Sequence, residues 1–148
     1  MKVKCLSIKQ PYAYLIAAGY KTKEIRTWET NYRGDLVIVA SKSPARRDIP
    51  IVIKGKTYTV GEIIDVLKEN GLLTLGASVC KVKLMSIKEM EKSDAKGACT
   101  QWDDFFYCCY AWKFAKPTPL NATSVKGKLN IYSEDIKIRE QKNLIKIF

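Results

Sequence analysis

Five consecutive apolar residues, Leu36-Val37-Ile38-Val39-Ala40, constrain the fold of this chain more than any other feature. An unbroken apolar run of that length, entered from a turn at Asn31 to Gly34, reads as a strand buried on both sides. The segments around it are short and strand-like. Residues 2–8 (KVKCLSI) predict a first strand, and Pro11 then opens a short helix over Tyr12 to Ala18 that Gly19 closes. From Lys23 to Trp28 the period of two places Glu24, Arg26 and Trp28 on one face of a strand and Lys23, Ile25 and Thr27 on the other.

Further along, residues 41–57 are basic and broken by two prolines and a glycine, which predicts a loop with at most one short irregular strand. Thr59 and Glu62 then form a T-x-x-E capping box. Tyr58 and Ile63 supply a hydrophobic staple, Ile63, Ile64, Val66 and Leu67 an apolar stripe, and Gly71 a stop. Ala77 to Ile87 predicts a strand with Cys80, Val82 and Leu84 inward and Lys81 and Lys83 outward. Residues 88–104 are a polar excursion. Phe105 to Phe114 predicts a long strand with Phe106, Cys108, Tyr110, Trp112 and Phe114 on one face, and the prolines at 117 and 119 predict a loop. A last strand falls near Lys128 to Tyr132, followed by a basic tail, 136–148. Several short strands with two helices describe an α+β protein organised on a small barrel or strongly curved sheet, in a single domain spanning 1–148.

Several function classes are disfavoured at once. The chain has no histidine and five cysteines with no C-x-x-C pair, so a zinc site is not expected and a histidine base or Ser-His-Asp triad is excluded. Cys108 and Cys109 read as small buried hydrophobes. No metal and no cofactor is expected. No apolar run nears the roughly 18 residues that cross a bilayer, and the first ten residues lack a signal-peptide core, so the expectation is a soluble, cytoplasmic protein without a membrane role. The formal net charge is +11, distributed as +8 over residues 1–60, 0 over 61–100 and +3 over 101–148. That excess suits a polyanion met mainly by the N-terminal part, and it equally suits plain solubility.

The segment from Cys5 to Lys42 carries an ordered motif set. Leu6, Ser7, Gln10, Pro11 and Tyr12 match L-S-x-x-Q-P-[WY]; Gly19, Lys21, Glu24 and Arg26 match G-x-K-x-x-E-x-R, with an aromatic at Trp28; Arg33 and Gly34 precede the buried strand, and Ser41 and Lys42 end it. This set resembles the ASCH domain family of the PUA-like superfamily, in particular the ASCH domains of transcription-coactivator type and the small stand-alone bacterial and phage ASCH proteins. Tyr110, Trp112, Pro117, Lys126 and Gly127 extend the likeness with looser spacing. The resemblance implies a small PUA-like β-barrel with two or more flanking helices. It also implies a cleft between the barrel and the first helix, lined by the motif residues, that binds RNA, another nucleic acid or a nucleoside-like small molecule.

The chemistry of those positions suits such a ligand. Glu24 and Arg26, on one strand face, offer an acceptor beside a planar donor fork. Lys21, with Lys9 and Lys42, can meet phosphate. Tyr12 and Trp28 present flat faces to an unstacked base. Gln10 and Ser41 complete the candidate set. Each has a plainer reading: Glu24 with Arg26 as a structural ion pair, Trp28 as core or rim, Tyr12 as helix packing. A binding module needs no catalytic group. The alternative is a small hydrolase acting on a modified nucleoside, in the manner of the acetylcytidine amidohydrolases of the family, or on RNA, with Lys21 and Glu24 as acid and base. That branch resembles G-x-K-T-x-T-x-R, and this chain has Glu24 where the threonine nucleophile stands. A third reading is a protein-interaction adaptor, which would display an exposed apolar patch.

Overall fold

A computed structural model describes residues 2–148. The elements run β1 (Lys2–Ile8), α1 (Tyr12–Ala17), β2 (Lys23–Arg26), β3 (Gly34–Ala40), β4 (Pro50–Ile53), β5 (Lys56–Thr59), α2 (Val60–Glu69), β6 (Ala77–Glu89), β7 (Tyr110–Pro119) and β8 (Ile131–Asp135), an α+β arrangement. Six strands form one sheet in the order β2-β7-β6-β3-β1-β8, and β4 pairs with β5 in a separate hairpin. Strands β1 and β3 are parallel neighbours, so the chain between them must cross over, and α1 and β2 lie within that crossover. The other ladders are antiparallel.

The buried strand behaves as its composition demands. Leu36, Ile38 and Ala40 join a core on one face with Leu6, Ile8, Val82, Leu84 and Trp112, while Val37 and Val39 face the other way onto Cys5, Leu120, Val125 and Tyr132. Helix α1 is buried on both sides. Ala13, Ile16 and Ala17 pack on the sheet, and Tyr14, Leu15 and Ala18 pack against a second layer built from the β4–β5 hairpin and α2. Gly19, at φ +85°, takes the left-handed conformation that ends the helix at little steric cost. Helix α2 starts with its capping box intact: Glu62 N–H donates to Thr59 Oγ1 and Thr59 N–H to Glu62 Oε1, both at 3.1 Å.

The structure corrects several expectations. Among the described residues no ladder joins β2 to β8, so the sheet is open along its hydrogen bonds rather than closed as a barrel. Residues 50–59 form a hairpin inside the stretch read as a loop. Strand β2 stops at Arg26, before Trp28. The long aromatic strand starts only at Tyr110. Residues Asp104–Cys108 form a 3-10 turn instead, because Asp103 caps Phe105 N–H at 2.8 Å and Asp104 accepts from Trp102 Nε1 at 2.9 Å. Cys108 is accordingly exposed rather than buried, and all five cysteines are free. Pro117 and Pro119 lie in β7 itself, Pro119 opposite Cys80 of β6 and Pro117 where the register slips between Lys81 and Lys83. They are tolerated there because β2 covers β7 only at residues 110–113, and beyond it the tail reaches β7 with Gln141 N–H donating to the Pro119 carbonyl, a contact that asks no N–H of proline. The final strand lies at Ile131–Asp135, slightly later than predicted.

The basic tail folds back onto the body. Tyr14 Oη donates to the carbonyl of Ile145, Tyr20 Oη to that of Phe148, and the Phe148 ring meets Tyr20 and Tyr58 edge-on.

Candidate functional site

A cleft of about 900 Å³ opens beside the carboxyl ends of the parallel strands β1 and β3. That volume lies near the upper end of the range of ~300–1,000 Å³ usual for ligand sites. Its walls come mainly from six places in the chain: the end of β1, helix α1 through Tyr12, strand β2, the residues just after β3, and two loops whose role the sequence did not reveal.

The floor is a chain of charges. Lys21 is 3% exposed, and its Nζ donates to the carbonyl of Ala98 at 3.0 Å and lies 3.5 Å from Glu24 Oε1. Glu24 Oε2 in turn accepts from Arg26 Nη2 at 3.0 Å, and the same nitrogen donates to the carbonyl of Ser7 at 2.9 Å. Two cations thus flank one carboxylate, leaving the floor with a net positive charge. Arg26 Nε is enclosed and meets no acceptor among the described residues. Lys21 Nζ also sits 5.3 Å from the centre of the Tyr12 ring, a cation–π contact. Burial, with smaller contributions from Glu24 and Cys99, pushes the Tyr12 hydroxyl up to about 12, so it remains a neutral phenol. Trp28 packs edge-on against buried Trp112 at 4.7 Å between ring centres, and Trp112 Nε1 donates to the Trp28 carbonyl at 3.2 Å. That contact fixes the Trp28 ring at the cleft wall.

Of the residues singled out from sequence, Lys9, Tyr12, Lys21, Glu24, Arg26, Trp28, Ser41 and Lys42 all line this one cleft. Gln10 does not. It is fully buried, accepting from Tyr14 N–H at 2.9 Å and donating to the Thr74 carbonyl at 3.0 Å, so it secures the first turn of α1 beneath the site.

Two segments complete the walls. The excursion after β6 contributes Ala98, Thr100 and Phe106. It is anchored by Asp94, a carboxylate with side-chain exposure of 1% that lies between Lys23 at 2.5 Å and Lys88 at 2.9 Å. Burial alone would raise this carboxyl, but the lysines and the backbone N–H of Glu91 outweigh it and hold it at about 2. Backbone bonds from Thr22 and Lys23 to the Gly97 carbonyl, and from Val52 to the Cys99 carbonyl, then fasten the excursion to β2 and β4. The E-x-x-D spacing of Glu91 and Asp94, a capping box, is the one local pattern that marks this turn, and it says nothing of the distant partners that anchor it. The second segment is the loop Lys126 to Asn130 before β8. A Cβ at Gly127 would lie 3.1 Å from Ser7 Oγ, a hydroxyl already 2.7 Å from Tyr132 Oη, so glycine permits the close approach that brings this loop over β1. Lys9, Lys42, Lys126 and Lys128 are the exposed cations of the rim.

The ASCH domain family model matches residues 6–147, nearly the whole chain. The chain belongs to the ASCH domain family. The ASCH protein of Zymomonas mobilis superposes on it with a TM-score of 0.52 at 11% sequence identity, over 82% of this chain and 73% of that one. A point mutant of the same protein aligns with a TM-score of 0.50 at 12% identity, over 82% and 75% of the two chains. At such identities the likeness is one of fold. No curated protein sequence matches the chain. Within this ASCH fold, Lys21, Glu24 and Arg26 lie together on the cleft floor. No helix among the described residues is long and apolar enough to cross a membrane.

Proposed function

We propose that this ASCH chain is a nucleic-acid-binding module that takes RNA, or another single strand, into the cleft. One observation carries the reading: a floor made of Lys21, Glu24 and Arg26 lies beneath aromatic walls and inside a rim of four exposed lysines. The rim lysines supply diffuse attraction for phosphates, while the floor supplies an acceptor and a donor at fixed separation for a base edge. Tyr12 and Trp28 give apolar faces against which an unstacked base can rest. The family to which the chain belongs is associated with RNA binding, in keeping with this reading.

A second reading rests on the contact between Lys21 and Glu24, two buried ionisable groups 3.5 Å apart at the cleft floor. Such a pair can move a proton on a modified nucleoside or on RNA. Glu24 supplies a carboxylate where the acetylcytidine branch has a hydroxyl, so covalent chemistry through a threonine at that position is closed to this chain.

Binding of a fluorescent single-stranded RNA at two salt concentrations separates these readings when product is followed on the same samples. Wild type is expected to bind with an affinity that falls steeply with salt and to leave the RNA intact. Arg26→Ala should weaken binding about tenfold or more, the loss typical of a charged hydrogen-bonding group at a recognition site. Absence of binding at low salt overturns the module reading; RNA cleavage that disappears in Lys21→Ala and Glu24→Gln favours the second.

A further inference from the structure

We infer that the aromatic turn at residues 102–107 is a stacking platform that carries a single strand onward from the mouth of the cleft. The inference rests on the nucleic-acid reading of the cleft and extends it to a surface outside the motif residues.

Phe105 and Tyr107 are 63% and 65% exposed, which is unusual for two large rings two positions apart in an ordered turn. Tyr107 is held through its ring and Phe105 through its backbone N–H, which donates to Asp103. The Trp102 ring meets both Phe106 and Tyr107 edge-on, with centres 5.6 Å and 5.0 Å apart. Its Nε1 is fixed by Asp104, and the turn is capped by Asp103. Phe106, the middle ring of the sequence, lines the cleft itself. The exposed rings therefore continue the cleft wall outward without a break in the chain. The other exposed large apolar residues, Leu75, Met85, Leu129 and Ile145, are separate in sequence and aliphatic, and none offers a comparable set of faces.

Exposed aromatics can serve a protein partner or a nucleic acid. Continuity with a cleft whose rim bears Lys9, Lys42, Lys126 and Lys128 favours the strand. The two carboxylates of the turn are consistent with that division of labour. Asp103 and Asp104 discourage phosphate at the turn, so the backbone follows the lysine rim while bases lie on the rings. Stacking of this kind accepts any base, because every base has a flat face. The platform would therefore lengthen the bound strand without adding sequence preference.

The test uses the full chain, a fluorescent RNA of about ten nucleotides, within the site sizes common for single-strand binders, and the double variant Phe105→Ala/Tyr107→Ala. Both side chains are largely in solvent, so the fold should survive their removal, which circular dichroism checks. The variant is expected to lose about tenfold or more in affinity while keeping the wild-type slope of affinity against salt, since stacking releases no counterions. Unchanged affinity would overturn the platform and leave the cleft reading standing, with the patch then better suited to a protein. Lost affinity with a flattened salt slope would also overturn it, because the turn would be acting through phosphate contacts. Failure of wild type to bind at low salt would overturn both.

Discussion

Glu24 is the residue on which the cleft floor depends. Its two oxygens hold Lys21 and Arg26 apart at fixed positions, and Lys21 is too enclosed to regain water if the carboxylate goes. Removing one partner of a buried pair is costly because the other charge is stranded. Glu24→Ala should therefore destabilise the fold by about 3 kcal/mol in chemical denaturation, at the low end for such pairs because Arg26 remains partly exposed. A loss of less than about 1 kcal/mol would mean that Lys21 finds another route to solvent. At this scale the sequence was informative. Alternation along residues 23–26 was enough to bring Glu24 and Arg26 to one side, and the short reach from Gly19 brought Lys21 to them. Gln10 was legible as important but not as structural, since its partners lie four residues on and at Thr74, the latter distant in sequence.

The excursion after β6 was illegible because its fold depends on distant partners. Asp94 draws Lys23 and Lys88 together across the chain, and that convergence, with the backbone bonds of Thr22, Lys23 and Val52, brings Ala98 onto Lys21. Aromatic alternation likewise misled at 105–108, where local caps by Asp103 and Asp104 outcompete strand pairing. The carboxyl of Asp94 sits at about 2 in the folded protein, below an unfolded value of about 3.9. Its contribution is thus complete above pH ~4 and is lost as pH falls towards 2. Thermal denaturation over that window should show a drop in Tm for wild type that is shallower in Asp94→Asn, whose Tm is already lower at neutral pH. Parallel pH profiles would show that the carboxylate does not anchor the excursion. By contrast, β1, β3, α2 and the first part of β6 were readable from local pattern alone, because each carries its own periodicity or cap.

For the molecule as a whole, one sheet whose parallel pair β3–β1 lies beside the edge strand β8 sets a cleft at the strand ends, and a buried α1 backs it with a second layer. The hairpin and α2 stiffen that layer, the tail fastens to it through Tyr14 and Tyr20, and the positive charge concentrated in residues 1–60 reaches the cleft through Lys9, Lys21, Arg26 and Lys42. Open topology along β2 and β8 replaces the expected barrel without moving the site, because the motif residues depend on β1, β2 and α1 rather than on closure. The most direct measurement is ultraviolet cross-linking of a bound single-stranded RNA followed by mass spectrometry of the adducts. Adducts at Tyr12 and Trp28, lost together with binding in Arg26→Ala, are the result predicted for a strand seated in the cleft; adducts confined to the tail at 136–148 or to the β4–β5 hairpin would contradict it.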